Sequence, residues 1–294
     1  DYMQKINKGD VVGRKSYGCD VHFYVQEIFE EQGKETARLK GVDIRLCADA
    51  LVEDLELLNQ QQINDRHLRF MRENATCMRR IFHRRKQDEE RFLTRSKKKG
   101  AAIARGEFFN VPGKVLHLDG DPGYLNKCLE NYEQLNIEAY GFAIPEEEQP
   151  RVVQEYLRKY QVDVVVLTGH DALIKNKKDF KSLDSYHHSR HFVEAVRKVR
   201  QIEPSLDDLV IFAGACQSHY EAILAAGANF ASSPQRILIH AFDPVFVVEK
   251  IAYSNIHEVL SINDIIDNTI TGMDGIGGIE TRGRLRVGYP KSPY

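Results

Sequence analysis

VDVVVLTGH (162–170) and LVIFAGACQ (209–217) are the two stretches whose reading decides the fold. In each, an unbroken apolar run closes at a glycine, and a side chain with reactive chemistry follows: His170 in the first, Cys216 in the second. A short Val/Ile-rich run ended by a turn signal is the mark of a strand buried on both faces. The pattern continues on either side. KVLHLDGDP (114–122), IEAYGFAIP (137–145) and RILIHAFDP (236–244) read as further strands. YLNKCLENYEQLN (124–136), QPRVVQEYLRKY (149–160), HHSRHFVEAVRKVRQI (187–202) and SHYEAILAAG (218–227) carry helical spacing, and VFVVEKIAY (245–253) completes the series. Alternating β and α elements over 110–294 predict an α/β domain, a mostly parallel sheet with helices on both faces. Such sheets place their sites at the C-terminal ends of the strands.

Two further regions precede this domain. Residues 1–50 read as short strands, GDVVGRKS, DVHFYVQEIF and TARLKGVD, separated by charged glycine turns such as EEQGKE, and suit a small SH3-like β-barrel. Cys19, in the turn-like YGCD, reads as a half-buried turn residue. Residues 51–109 form a helical, basic linker region: Leu51 to Leu58 and Leu68 to Phe82 have helical spacing. From Arg79 to Arg105 there are eleven Lys/Arg against three Asp/Glu, enough positive charge to raise the question of nucleic acid. Without a recognition motif or interleaved aromatics, a solvated helix and a protease-sensitive linker is the better reading.

Composition narrows the class. With 42% hydrophobic and 29% charged residues, and no apolar run near the ~18 residues of a membrane span, an ordinary globular protein is expected. The start lacks a secretory signal pattern, and its opening Asp1 suggests a trimmed or engineered terminus. The five cysteines are odd in number, scattered, and include no CxxC pair. They indicate a reducing intracellular compartment rather than a disulfide framework or structural zinc site.

Polar groups cluster at four strand ends: Asp119/Asp121, His170/Asp171, Cys216/Gln217/Ser218 and His240/Asp243. If the strands before His170 and Cys216 are neighbours, imidazole and thiol emerge at one sheet edge. A thiol with an ordinary pKa of ~8.5 needs such an imidazole to become a nucleophile at neutral pH. The same imidazole can then protonate a leaving amine. Backbone N–H groups at Asp171, Ala215 and Cys216 are the candidate oxyanion donors. Taken singly, His170 in a turn and Cys216 in a core are unremarkable; their matched positions favour the dyad.

A histidine after one hydrophobic strand, with Ala-Cys after a second roughly 50 residues later, resembles the caspase-like cysteine peptidases; here the two residues are 46 apart. More closely, the chain resembles the YabG-type sporulation-specific cysteine peptidases of endospore-forming bacteria. The resemblance runs through GDVVGRKSYGCD, HLDGDPGYL, TGHDALIKN and AGACQSHYEAILAAGANFASSP and spans nearly the full length. It implies an Arg-directed endopeptidase that trims spore-coat and coat-assembly proteins in the mother-cell cytoplasm, associated with the forming coat. His170 and Cys216 would be its dyad, with no cofactor or metal. Two positions depart from the caspase-like pattern: Asp171 replaces the glycine that commonly follows the histidine, and Gly214 stands where caspases carry glutamine.

An arginine at P1 asks for a carboxylate that can pair with a guanidinium. Asp119 and Asp121 in the DGDPG turn are candidates, with Asp243 in reserve; an Asp/Gly/Pro turn chosen for backbone geometry is the plainer alternative. An Arg-specific enzyme could also cut itself at Arg84, Arg85, Arg91 or Arg95. His187 and His191, at i and i+4, have a spacing used for metals but lack a companion glutamate, and His219 is expected to point away from Cys216. Gly272, Gly275, Gly277 and Gly278 in TGMDGIGGIE are expected in a flexible loop. The main competing reading is a non-enzymatic adaptor, binding a protein or nucleic acid through barrel and basic helices, with a receiver-like scaffold. A small-molecule thiol hydrolase is a third.

Overall fold

A computed structural model describes residues 5–98, 107–174, 177 and 179–292. Five strands build the N-terminal sheet: β1 (Val11–Arg14), β2 (His22–Glu31), β3 (Lys34–Gly41), β4 (Cys47–Leu51) and β5 (Leu55–Leu57), antiparallel in the order β4-β3-β2-β1-β5. Gln32 and Gly33 both take positive φ, the requirement of a two-residue hairpin turn, and so join β2 to β3. Phe23, Val25, Ala37 and Leu39 alternate along these strands into one apolar cluster.

The expected helix from Leu51 to Leu58 is absent. Val52–Asp54 makes a single 3-10 turn, and Leu55–Leu57 returns as β5 beside β1. Leu55 and Leu58 are buried there. Eight residues with apolar spacing do not distinguish helix from strand, and the open edge of β1 decides the outcome. The sheet therefore runs past residue 50, to Leu57.

Helix α1 (Gln60–Lys98) begins at a reciprocal cap: the Gln62 N–H donates to Asn59 Oδ1 and the Asn59 N–H to Gln62 Oε1. No glycine or proline interrupts its 39 residues. Phe70, Cys77 and Ile81 face inward and join the main core.

The second unit contains β6 (Phe109–Val111), β7 (Val115–Asp119), α2 (Pro122–Gln134), β8 (Ala139–Ala143), α3 (Gln149–Lys159), β9 (Val164–Thr168), α4 (Ser189–Ile202), β10 (Val210–Ala213), α5 (Tyr220–Ala225) and β11 (Phe230–Ser232). It ends with α6 (Asp243–Ala252), β12 (Val259–Leu260), α7 (Ile262–Ile266), β13 (Ile276–Gly278), β14 (Thr281–Arg282) and β15 (Arg286–Gly288). The main sheet has the order β13-β11-β10-β9-β7-β8, parallel except for β13. Val164 and Val166 of β9 pack on the face covered by α1, α2 and α6, while Val165 and Leu167 pack on the face covered by α3 and α4. Both faces are covered, as the continuous apolar strands require.

Two expectations fail at the sheet edge. RILIHAF is not a ladder strand; His240 makes only an isolated bridge to Ile44. The edge beside β11 belongs instead to β13, from the glycine-rich segment expected as a loop. A Cβ on Gly278 would lie 2.2 Å from the Asn229 carbonyl oxygen, and one on Gly277 2.6 Å from the Tyr220 hydroxyl. Those glycines permit an approach that other residues would block.

Candidate active site

β9 and β10 are hydrogen-bonded neighbours, with Leu167 opposite Ala213. His170 and Cys216 each follow that pair by three residues. The two loops are tied together just beyond them. Asp171 is buried and accepts from the backbone N–H of Ala172 and His188, from Ser189 Oγ, and from Ser218 Oγ at 2.9 Å. The residue after His170 thus holds the residue two after Cys216. Burial raises the Asp171 pKa, opposed by these hydrogen bonds.

His170 is fixed from several sides. Its backbone N–H donates to Glu146 Oε1 at 2.6 Å. Cβ atoms at Gly120 or Gly169 would each come within 2.2 Å of that carboxylate oxygen, so both turns need glycine to admit it. The ring Nε2 lies 3.0 Å from Asp121 Oδ2, and Nδ1 lies 3.6 Å from Cys47 Sγ. Burial disfavours the imidazolium, but the Asp121 hydrogen bond and then Cys47 outweigh it and push the His170 pKa up to about 10. Asp121 also caps α2 through the Gly123 and Tyr124 N–H groups and binds Lys40 Nζ at 2.5 Å. Although burial opposes ionisation, His170 and Lys40 hold its carboxyl well below the usual carboxylate range.

Cys216 is fully buried, at the turn before Gln217, whose φ is left-handed. The Ile239 N–H donates to its sulfur at 3.3 Å. Burial pushes the Cys216 thiol up to about 12, against the lowering effect of that contact. Among the described residues no hydrogen bond links His170 to Cys216. Of the three oxyanion candidates, the Ala215 N–H is occupied by Ser218 Oγ at 2.9 Å.

The residues match a known family along almost their whole length. The model of the YabG peptidase U57 family matches residues 7–290. The sporulation-specific protease YabG of Bacillus subtilis (strain 168) is 42% identical over 287 residues, covering 96% of this chain and 97% of that protein. The chain belongs to the YabG peptidase family.

In this YabG-family chain the other candidate aspartates are internal. Asp119 and Arg45 are both fully buried and 2.5 Å apart; Thr168 Oγ1 and the Asp121 N–H also donate to Asp119. Burial opposes its ionisation most strongly, but Arg45, His117 and the Asp121 N–H together outweigh it and lower its pKa. Asp243 accepts from Thr271 Oγ1 and from the Ile270 and His240 N–H groups, while burial raises its pKa to about 6. Of the three, Asp121 borders His170.

Cys47 and Lys40 escaped the sequence reading, as did Glu146. Cys47 lies 123 positions before its imidazole partner, and nothing local marks it. His187 precedes the first turn of α4, so it does not share a helical face with His191. His219 caps α5 through Nδ1 and meets the Lys181 carbonyl through Nε2, so both nitrogens are engaged away from Cys216. Among the described residues, one group could hold a metal: Glu146, Glu147 and His188 have ligand atoms within 4.8 Å of one another. No described helix is long and apolar enough to cross a membrane.

Proposed function

We propose that this peptidase is a caspase-like cysteine endopeptidase of sporulation, with Cys216 as nucleophile and His170 as base, cutting proteins after arginine. The shared register of His170 and Cys216 beyond the paired residues Leu167 and Ala213 carries this reading. It is supported by the likeness to the sporulation-specific protease of Bacillus subtilis. The contacts with Asp121 and Cys47 favour the charged ring, so His170 first gives one proton to water. The neutral imidazole then takes the Cys216 proton, and the thiolate attacks the scissile carbonyl carbon. Backbone N–H groups at Asp171 and Cys216 meet the oxyanion. His170 returns the proton to the departing amine, and water then hydrolyses the thioester. Because burial keeps the Cys216 thiol protonated at rest, attack begins only once His170 reaches the sulfur, and the Ile239 N–H then favours the thiolate that forms.

Asp121 is our choice for the arginine-recognising carboxylate, since it borders His170 and already binds a cation, Lys40. An arriving guanidinium would take that ammonium's place. Coat and coat-assembly proteins in the mother cell are the proposed substrates, and the N-terminal sheet is proposed as an SH3-like module. Self-cleavage is proposed at Arg91 or Arg95, since Arg84 and Arg85 are anchored to Glu249.

Cys216→Ala and His170→Ala are each expected to reduce cleavage of an arginine-containing polypeptide by at least about a thousandfold, as loss of a coupled nucleophile or base does. Full activity in either variant would sink the dyad. Equal cleavage after lysine and arginine would sink the P1 assignment.

A further inference from the structure

We propose that Cys47 is a positioning residue that latches His170 in a resting posture, so that the N-terminal sheet controls the peptidase. The inference rests on the His170/Cys216 dyad and concerns which ring nitrogen that dyad uses. Asp121 occupies Nε2 at 3.0 Å, the arrangement of a carboxylate that orients a catalytic imidazole. Nδ1 is left to face the nucleophile, yet the sulfur 3.6 Å from it belongs to Cys47. Cys216 meanwhile has the Ile239 N–H on its own sulfur. The nitrogen that should receive the Cys216 proton is therefore engaged by a different thiol.

The contact is built by a cross-strand pair. Cys47 of β4 is directly opposite Lys40 of β3. Lys40 grips the carboxylate of Asp121 and Cys47 grips the imidazole that this carboxylate orients. The corner carrying them is clamped to the second unit. Tyr124 Oη shares its one proton between the Gly41 and Ile44 carbonyl oxygens, Lys127 Nζ donates to the Val42 carbonyl at 3.1 Å, and Arg45 reaches buried Asp119. An accidental surface contact would not be held by a fully buried ion pair. Turnover requires His170 Nδ1 to leave Cys47 for Cys216, with the clamped corner holding Cys47 in place as the ring departs.

The test uses the full chain with an arginine peptide and with mass-spectrometric timing of Cys216 alkylation by iodoacetamide. Cys47→Ala is expected to raise kcat and the Cys216 alkylation rate by about fivefold, the size of one weak hydrogen bond, with KM unchanged. Cys47→Ser, which keeps a hydrogen-bonding group on Nδ1, is expected to restore wild-type rates. If Cys47→Ala fails to fold, Cys47→Val keeps the volume without the contact and carries the same expectation. Wild-type rates in a folded Ala or Val variant overturn the latch and leave the dyad standing. Loss of activity in Cys47→Ala alongside an inactive Cys216→Ala also overturns it, making Cys47 a supporting group. An inactive Cys47→Ala beside an active Cys216→Ala overturns both readings and makes Cys47 the nucleophile.

Discussion

His170 carries the most tightly argued chemistry, because its ring meets a carboxylate on one nitrogen and a thiol on the other. Its pKa is raised to about 10 from 6.5, so the pairing contributes stability fully below about pH 6.5 and loses it as pH rises through about 10. The lowered Asp121 carboxyl contributes in the opposite sense, above the ordinary carboxylate range, and loses its contribution in acid. Urea midpoints of the wild-type protein should therefore fall between neutral pH and about pH 10. His170→Gln should flatten that limb; an unchanged slope would show that the ring is not charged in the fold. The chain itself marked His170 and Cys216, since each closes an apolar run. It could not mark Cys47 or Glu146, whose roles depend on contacts across 123 and 24 positions.

At the scale of elements, α1 shows how a basic run becomes architecture. Between Arg79 and Lys98 the sequence reads as a solvated, cuttable linker, yet Arg84 and Arg85 converge at 2.7 Å on Glu249, a fully buried carboxylate of α6. Arg85 also reaches the Leu135 carbonyl and lies over the Tyr253 ring. The last residues of the basic stretch, 99–105, lie outside the described residues. Glu249→Ala should lower unfolding free energy by about 3 kcal/mol, because two cations lose a buried partner. If self-cleavage occurs in α1, the same variant should accelerate it, as mapped by new N-termini within 79–98. Unchanged stability would mean that α1 is held by its apolar face alone. Helical periodicity predicted the helix; it could not say that one continuous helix would lie against α6, because a charge pattern does not name its counter-charge.

Across the whole molecule, the N-terminal sheet and the α/β unit interlock. Arg45 is fully buried against Asp119, Tyr124 bonds the β3–β4 corner, and α1 contributes Phe70, Cys77 and Ile81 to the main core. Unfolding should be a single transition, with far-UV circular dichroism and tyrosine fluorescence coinciding in urea. Two separated transitions would show that the sheet is an independent module.

The sequence by itself determined the α/β alternation, the mostly parallel sheet and the two strand ends bearing His170 and Cys216. Those features follow from local patterns: apolar runs make buried strands, and glycine turns end them. Tertiary structure decided that β5 belongs to the first sheet, that the glycine-rich segment supplies the edge strand β13, and that Arg45, Lys40 and Cys47 reach the second unit's site. Such contacts join residues far apart in the chain. They form because buried charges need partners and sheet edges need closing, demands that arise only once the core has brought those residues together.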